Sequence, residues 1–160
     1  MLRIDVGCGT ERHQDCNVGL DKHGFAHHYE EGGFIQHDIL DPLPFEAGSV
    51  DWIYCNHVLE HLVHRHPTRD IDTLIFVINE FNRVLKVGSE AFIVVPWIKH
   101  TNAWRHPTHY RFFNYDIWGW FDYRNPTPDH EADGLTGEMW VIRNEIVDEC
   151  HVVAVLRKVS

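Results

Sequence analysis

Short apolar runs alternate with polar segments along the chain, and they predict where its strands lie. Five runs rich in β-branched or aromatic residues predict five strands: Leu2–Val6, Asn17–Leu20, Gly33–Gln36, Val50–Cys55 and Ala91–Pro96. Most of these runs lack a strict two-residue alternation of apolar and polar positions. Such continuity favours strands that are covered on both faces.

A second periodicity, of three and four residues, predicts helices between the strands. The clearest helix lies between the fourth and fifth strands, with Gly88 at the position of its C-terminal cap. Asn56–Val63 predicts another helix, ended by Pro67, and Asn114–Phe121 predicts a short aromatic one. The apolar positions of the clearest helix are Ile71, Leu74, Ile75, Ile78, Phe81 and Leu85.

The C-terminal segment predicts an antiparallel hairpin, with strands Trp140–Val147 and His151–Lys158 joined by Asp148-Glu149. Strands that alternate with helices before it indicate an α/β fold with a mostly parallel sheet. Trp97–Arg111 and Tyr123–Gly137 are predicted to be irregular, and the first of them should overhang the ligand-binding edge. No repeat or linker divides the chain, so we expect one domain, residues 1–160.

Composition and charge exclude several classes of protein. Hydrophobic residues make up 44% of the chain and charged residues 24%, as is usual for globular proteins. No apolar run approaches the roughly 20 residues that cross a bilayer, and the strand pattern begins at the N-terminus, so we expect a cytoplasmic protein without a membrane partner. The net charge of −10 argues against a nucleic-acid partner. The four cysteines have no CxxC spacing and predict reduced thiols.

The first strand leads directly into a glycine-containing bend, Asp5-Val6-Gly7-Cys8-Gly9-Thr10. Glycine lacks Cβ and adopts positive φ readily, so the backbone can turn tightly and approach a ligand. The bend would lie at the carboxyl edge of the sheet, where open α/β sheets bind nucleotides. A turn without any ligand is the alternative interpretation.

The chain resembles the class I S-adenosylmethionine-dependent methyltransferases, especially the small type-11-like group. The resemblance covers about the first hundred residues, with segments in the family's order and spacing. It implies a Rossmann-like, doubly wound, mostly parallel sheet with a C-terminal antiparallel hairpin, and S-adenosyl-L-methionine as cofactor. The matching segments are Asp5–Thr10, Gly19–Asp21, His37–Leu40, Pro42–Phe45, Ser49–Ile53, His57–His61 and Glu80–Gly88.

The resemblance also implies which residues bind the cofactor. The bend would form the floor beneath the methionine part, and Asp21 would accept hydrogen bonds from both ribose hydroxyls. Asp38 and Ile39 would flank the adenine, and Asn56 would face the sulfonium together with His57. Each carboxylate could instead cap a turn or a helix. The expected cofactor-binding residues are thus Asp5, Gly7, Cys8, Gly9, Asp21, Asp38, Ile39 and Asn56.

One spacing departs from the usual pattern. Only about twelve residues separate Gly9 from Asp21, whereas dinucleotide-binding folds place the corresponding acid about 20 residues on. The first crossover helix must therefore be shortened or absent. We expect a more open site as a result, which a second subunit could complete in a homo-oligomer.

Fourteen histidines raise the question of a metal. His57-Val58-Leu59-Glu60-His61 matches the H-x-x-E-H signature of inverted zinc peptidases, with Glu131 or Glu138 as a third ligand. The position of this segment after a buried strand favours the methyltransferase interpretation instead, and we predict no metal in the site. A structural or adventitious metal elsewhere among the histidines remains open.

Candidate catalytic residues lie after the fourth and fifth strands. His106–Phe113 resembles the Asp-Pro-Thr-His-x-Arg-Phe-Phe stretch of related small methyltransferases, with histidine replacing the acid. We expect His57 and His109 to act near the acceptor, because histidine suits a general base at neutral pH. Arg111 is expected to clasp a carboxylate or phosphate. The alternative is that His109 and Arg111 brace the loop.

The predicted function is methyl transfer from S-adenosylmethionine to a small-molecule acceptor by in-line displacement, in which alignment of the reactants lowers the barrier. A non-catalytic, cofactor-binding methyltransferase-like module acting in a complex is the alternative. The zinc peptidase is a third interpretation. The sequence leaves the acceptor and its reacting atom open.

Overall fold

Seven strands form one mixed sheet in the computed structural model, which describes residues 1–160. Their order is β3-β2-β1-β4-β5-β7-β6. The first five are parallel, and β7 runs antiparallel between β5 and β6. The predicted α/β sheet with its C-terminal hairpin is therefore confirmed. The strands are β1 (Arg3–Val6), β2 (Val18–Asp21), β3 (Phe34–Gln36), β4 (Val50–Asn56), β5 (Leu85–Pro96), β6 (Met139–Val147) and β7 (His151–Lys158).

Only two α-helices accompany the sheet: α1 (Thr73–Val84) and the short α2 (Pro128–Ala132). Asp72 caps α1, because its carboxylate accepts a hydrogen bond from the backbone N–H of Leu74 at 2.9 Å. The helix ends at Val84 and β5 begins at the next residue, Leu85. The expectation that Gly88 caps this helix is therefore wrong. Gly88 instead lies inside β5 with φ of +83°, where the register between β4 and β5 shifts.

The remaining helical segments are 3₁₀ helices of three to six residues. As expected, no helix occupies the crossover between β1 and β2. The helix predicted over Asn56–Val63 is wrong, since β4 continues through Asn56 and only Leu59–His61 forms a turn. His57 has φ of +56°, which a right-handed helix cannot contain. The aromatic helix expected at Asn114–Phe121 is a 3₁₀ turn over Asp116–Phe121.

The two faces of the sheet are covered unequally. Ile53 and Ile93 are fully buried in a core of 27 residues, which includes nine-tenths-buried side chains of α1. Trp52, Tyr54 and Phe92 alternate with them along β4 and β5, are half-buried, and lie outside that core. The expectation of strands covered on both faces is therefore wrong here. The partly exposed face carries aromatic residues in place of polar ones, because aromatic side chains tolerate partial exposure. The alternation of buried and exposed positions is therefore not visible in the sequence as an alternation of apolar and polar residues.

Local conformations elsewhere agree with the pattern in the sequence. Asp148 and Glu149 both have positive φ, near +52° and +53°, and form the tight turn of the β6–β7 hairpin. All four cysteines are free thiols, as expected. None of the helices has the length and apolar character that spanning a bilayer requires.

Candidate active site

A cleft of about 560 Å³ opens where β1, β2, β3 and β4 end. It lies at the point where the chain order of the sheet reverses, between β1 and β4, which is where open α/β sheets bind ligands. Its volume falls in the range of small-molecule and cofactor sites. Half of the residues that line it are hydrophobic.

The glycine bend forms one wall of this cleft. The backbone N–H groups of Gly7 and Cys8 both donate to the carbonyl of Leu20, at 2.7 and 3.1 Å, which ties the bend to β2. Gly7 has φ of +75°, and a Cβ placed on it would lie 2.2 Å from Cγ2 of Val58. Glycine is therefore required at position 7 both for its conformation and for its close contact.

Asp21 faces the bend from the end of β2. Its Oδ2 accepts a hydrogen bond from the backbone N–H of Gly9 at 3.1 Å, and its Oδ1 accepts one from the backbone N–H of His23 at 2.9 Å. The His23 ring also lies 3.1 Å from Oδ1. The carboxylate lines the cleft while its side chain is only 13% exposed. A fixed carboxylate beside a glycine bend suits recognition of neighbouring hydroxyls.

The loop after β3 supplies the opposite wall. Asp38 and Ile39 both line the cleft, together with His37 and Leu40, which sequence reasoning did not single out. One oxygen of Asp38 accepts from the backbone N–H of Leu40 at 3.0 Å, so the carboxylate also holds its own turn. An acidic group beside apolar side chains can bind a flat, amine-bearing ring.

Four of the expected cofactor-binding residues, Asp5, Cys8, Gly9 and Asn56, do not line the cleft. Asp5 is buried beneath the bend and accepts the backbone N–H of His13 at 2.6 Å; burial raises the pKa of its carboxyl. Cys8 is buried as well, and burial raises the pKa of its thiol. Asn56 ends β4 and is half-buried. These four residues support the cleft from below.

His57 is the most distinctive residue of the site. It lines the cleft, its side chain is 39% exposed, and its φ of +56° is uncommon for a residue other than glycine. Nδ1 lies 2.9 Å from Oε1 of Glu60. An ionised carboxylate only accepts, so Nδ1 donates and Nε2 of the neutral ring is free to accept a proton.

Glu60 was considered only for the zinc-peptidase alternative, and the structure places its carboxylate against the ring of His57. Its side chain is 1% exposed, and Oε2 is buried without a hydrogen-bond partner. The ring of His57 is thus the only side chain that forms a hydrogen bond with the Glu60 carboxylate. The only indication in the sequence was the three-residue spacing within the H-x-x-E-H segment. That segment is not a helix, so the common helical face that a zinc peptidase requires is absent.

The two remaining candidate catalytic residues occupy different surroundings. His109 lies outside the cleft lining, beside His61, with its ring centroid 4.8 Å from that of His61. His61 does line the cleft; burial, with a further contribution from His109, lowers its pKa. His109 is thus adjacent to the cleft rather than in it.

Arg111 differs from the expectation that it lines the acceptor side. Its guanidinium forms an ion pair with Asp72 at 2.8 Å and donates to the hydroxyl of Thr73 and to the carbonyls of residues 62, 63 and 64. The side chain is 10% exposed, and Nε and Nη2 make all of these contacts. Arg111 links the start of α1 to the loop after β4 by these hydrogen bonds. This arrangement agrees with the alternative interpretation, in which Arg111 braces a loop.

The fold and the position of the cleft are those of the class I S-adenosylmethionine-dependent methyltransferases. The family model described as "Methyltransferase domain", of type 11, matches residues 16–93, just under half of the chain. The match begins at residue 16, after the glycine bend. The assignment of the bend to the cofactor site therefore depends on its position in the structure and not on the family model. No curated protein sequence matches the chain significantly.

Solved structures share the fold at low sequence identity. A protein from Sulfolobus solfataricus assigned to the type 11 methyltransferases is 22% identical, with a TM-score of 0.59 over 99% of this chain and 84% of that one. A SAM-dependent methyltransferase from Archaeoglobus fulgidus is 15% identical, with a TM-score of 0.65 over 98% and 86%. Phosphoethanolamine N-methyltransferase 1 from Haemonchus contortus, in complex with phosphoethanolamine and S-adenosylhomocysteine, is 14% identical, with a TM-score of 0.67 over 98% and 38%.

The cofactor of this family is S-adenosylmethionine, and the residues of the cleft fit it. Gly9 has φ of +56°, and a Cβ there would meet no atom within 4 Å, so the bend leaves open space at that point. Asp21 presents acceptor oxygens for hydroxyls, and Asp38 lies on the opposite wall. Both are suited to an adenosyl group.

Proposed function

We propose that the protein is a methyltransferase that transfers a methyl group from S-adenosylmethionine to a small-molecule acceptor. The observation that carries this proposal is the His57–Glu60 pair at the cleft. A base oriented by a buried carboxylate is the arrangement that removes a proton from a nucleophile. The net charge of −10 disfavours a nucleic-acid acceptor.

Within this proposal the cleft has two parts. Gly7, Asp21 and Asp38 hold the cofactor, which when bound supplies a methyl group on a positively charged sulfur. His61, Thr108 and Tyr110 line the other part, where we place the acceptor. Nε2 of His57 takes the acceptor's proton, while Glu60 keeps Nδ1 protonated and stabilises the imidazolium that results.

Substitution of the base tests this function. The assay follows release of S-adenosylhomocysteine with a panel of small thiols, phenols, amines and carboxylic acids. For an acceptor that is methylated by the wild type, we expect His57→Gln to lower kcat by about 10²–10⁴-fold, with cofactor affinity retained. Glu60→Gln should lower kcat less and shift the acidic limb of the pH profile.

His64→Gln provides the matched control, because His64 is an exposed histidine close to the cleft that does not line it. It should leave kcat unchanged. An active wild type whose kcat is unaffected by His57→Gln would contradict the role of His57. Tight cofactor binding without methylation of any acceptor would contradict the proposed activity.

The second face of the sheet favours the alternative function, a cofactor-binding module that acts in a complex. Trp52, Tyr54 and Phe92 form a row of rings there, with centroids 5.9 Å apart at each step, and none joins the core. A partner that covers this row would bury apolar surface. Cofactor binding alone does not distinguish the two functions, whereas turnover by the isolated chain does.

A further inference from the structure

Three histidines converge beside the cleft, from two segments distant in sequence. His61 comes from the turn after β4, and His106 and His109 come from the loop after β5. One ring nitrogen of each lies within 4.8 Å of the others. Of the fourteen histidines, these are the three that come together in this way.

Hydrogen bonds hold two of the three rings in the form that binds metals. Nδ1 of His109 is 2.9 Å from the carbonyl oxygen of Ala103, which only accepts, so Nδ1 donates and Nε2 is left as a ligand. Nδ1 of His61 is 3.1 Å from the carbonyl oxygen of Thr108, with the same consequence. Metal-binding histidines typically donate their second ring N–H to a carbonyl or a carboxylate in this manner.

The third ring is adjustable. The hydroxyl of Thr108 lies 2.8 Å from Nδ1 of His61 and 2.8 Å from Nδ1 of His106. Because His61 donates to Thr108, the hydroxyl proton is directed at His106, which then carries its own proton on Nε2. The backbone N–H of Thr108 also donates to Nδ1 of His106, at 3.4 Å. His106 is exposed, so its ring can turn away from both donors of Thr108 and take the other tautomer.

The spacing suits a first-row transition metal after a small adjustment. Zinc binds imidazole nitrogen at about 2.0–2.1 Å, so tetrahedral ligands lie roughly 3.4 Å apart. The ring nitrogens, which lie within 4.8 Å of one another, need to approach by up to about 1.4 Å. Three imidazoles without a carboxylate or thiolate favour zinc, copper, nickel or iron over magnesium and calcium. Three protein ligands also leave a coordination position for another molecule.

We infer that His61, His106 and His109 form a binding site for a divalent transition metal at the acceptor end of the cleft. His61 and Thr108 line the cleft themselves, so the free coordination position is close to the acceptor region. The metal ion there binds a donor atom of the acceptor, such as a thiolate, a phenolate or an imidazole nitrogen. The inference that these histidines bind a metal depends only on their own geometry. The inference that the metal binds the acceptor depends also on the proposed function.

The test is titration of the intact, cofactor-free chain with Zn²⁺ against a chelating indicator, and with Co²⁺ followed by visible absorption. We expect one tight equivalent and the strong absorption of four-coordinate Co²⁺. His61→Ala and His109→Ala should each weaken binding by about 10–100-fold, and His106→Ala should weaken it less, because the first two rings are held in place.

The chain offers a matched control for adventitious binding. His27 and His28 are exposed neighbours with ring centroids 4.1 Å apart, outside the cleft lining. His27→Ala/His28→Ala should leave the tight equivalent intact. Circular dichroism and S-adenosylhomocysteine binding verify that every variant is folded.

Two results would overturn the inference: a tight equivalent that survives removal of all three histidines, or a wild type that binds no more Zn²⁺ than that triple variant. Neither result bears on the proposed function, which is assayed by methyl transfer. Conversely, metal binding without methyl transfer to any acceptor would leave the site in place and contradict the activity.

Discussion

At the residue scale, two side chains decide what the cleft can bind and do. Asp21 lines the cleft while one of its oxygens holds the glycine bend and the other accepts from the backbone N–H of His23, and Glu60 fixes the proton on His57 from a buried position. The first role is visible in the sequence, because an acid after the second strand is a known feature of such folds. The second is not, since burial of Glu60 depends on packing from elsewhere in the chain.

Gly7 gives a prediction for stability. Gly7→Ala forces alanine into a left-handed backbone conformation and brings its Cβ within 2.2 Å of Val58. We therefore expect the free energy of unfolding to fall by about 2–4 kcal/mol. Gly48→Ala is the control, with φ of +65° and no atom within 4 Å of the added Cβ. It should lose only about 1 kcal/mol. Equal losses in urea unfolding would contradict the close contact.

His23 gives a prediction for cofactor binding. The ring of His23 lies 3.1 Å from one oxygen of Asp21, and the His23 side chain is 64% exposed. Hydroxyl groups of a ligand should therefore displace this ring easily. We expect His23→Ala to leave the affinity for S-adenosylhomocysteine unchanged or to raise it by up to about threefold. Calorimetry measures this, with His27→Ala as the control. A loss of tenfold or more would mean that His23 itself contacts the ligand.

At the element scale, the sequence was sufficient for the strands but not for the helices. Each strand is a compact apolar run, and all seven fall within a few residues of their predicted positions apart from the early start of β5. The segment after β4 has a helical pattern too, yet His57 adopts a left-handed conformation and breaks it. The pattern of apolar positions does not indicate this conformation, because a left-handed φ is uncommon for residues other than glycine.

The unequal faces of the sheet also give a prediction at this scale. Ile93→Ala removes a fully buried side chain that contacts the core, and should cost about 2–5 kcal/mol. Phe92→Ala, at the next residue of β5, removes a larger side chain from the half-buried face, and should cost less than half as much. Urea unfolding of both variants measures the difference. A larger loss for Phe92→Ala would show that the second face is covered in solution.

At the scale of the whole molecule, stability should depend on pH through the half-buried His151. Burial, with a contribution from His57, lowers the pKa of His151 in the folded protein. The unfolded chain then binds more protons than the folded one below about pH 6.5, so this contribution to stability is present at higher pH and is lost as the pH falls.

Unfolding by urea between pH 7.5 and pH 5.5 measures this dependence. We expect the free energy of unfolding to decrease less steeply with falling pH in His151→Gln than in the wild type. His64→Gln, which replaces an exposed histidine, should follow the wild type. A His151→Gln slope equal to that of the wild type would contradict the assigned pKa shift.

The overall arrangement also explains which part of the site was predictable. Gly7, Asp21, Asp38 and Ile39 follow strand ends, and parallel strands bring their carboxyl ends to one edge, so the sequence places these residues together. His61 belongs to the turn after β4, whereas His106, His109 and Arg111 belong to the long loop after β5. The course of that loop depends on its contacts with the turn after β4 and with α1, and no spacing in the sequence encodes them.

The central claim is that the cleft between the glycine bend and Asp21 binds S-adenosylmethionine. Calorimetric titration of the intact chain with S-adenosylmethionine and S-adenosylhomocysteine tests it most directly. We expect both to bind with one site, and Asp21→Asn to weaken them by about 10–100-fold, because a charge-assisted hydrogen bond contributes about 1.5–3 kcal/mol. Asp15→Asn, at an exposed acid, should bind as the wild type does. Absence of binding by either ligand to the folded wild type would contradict the claim.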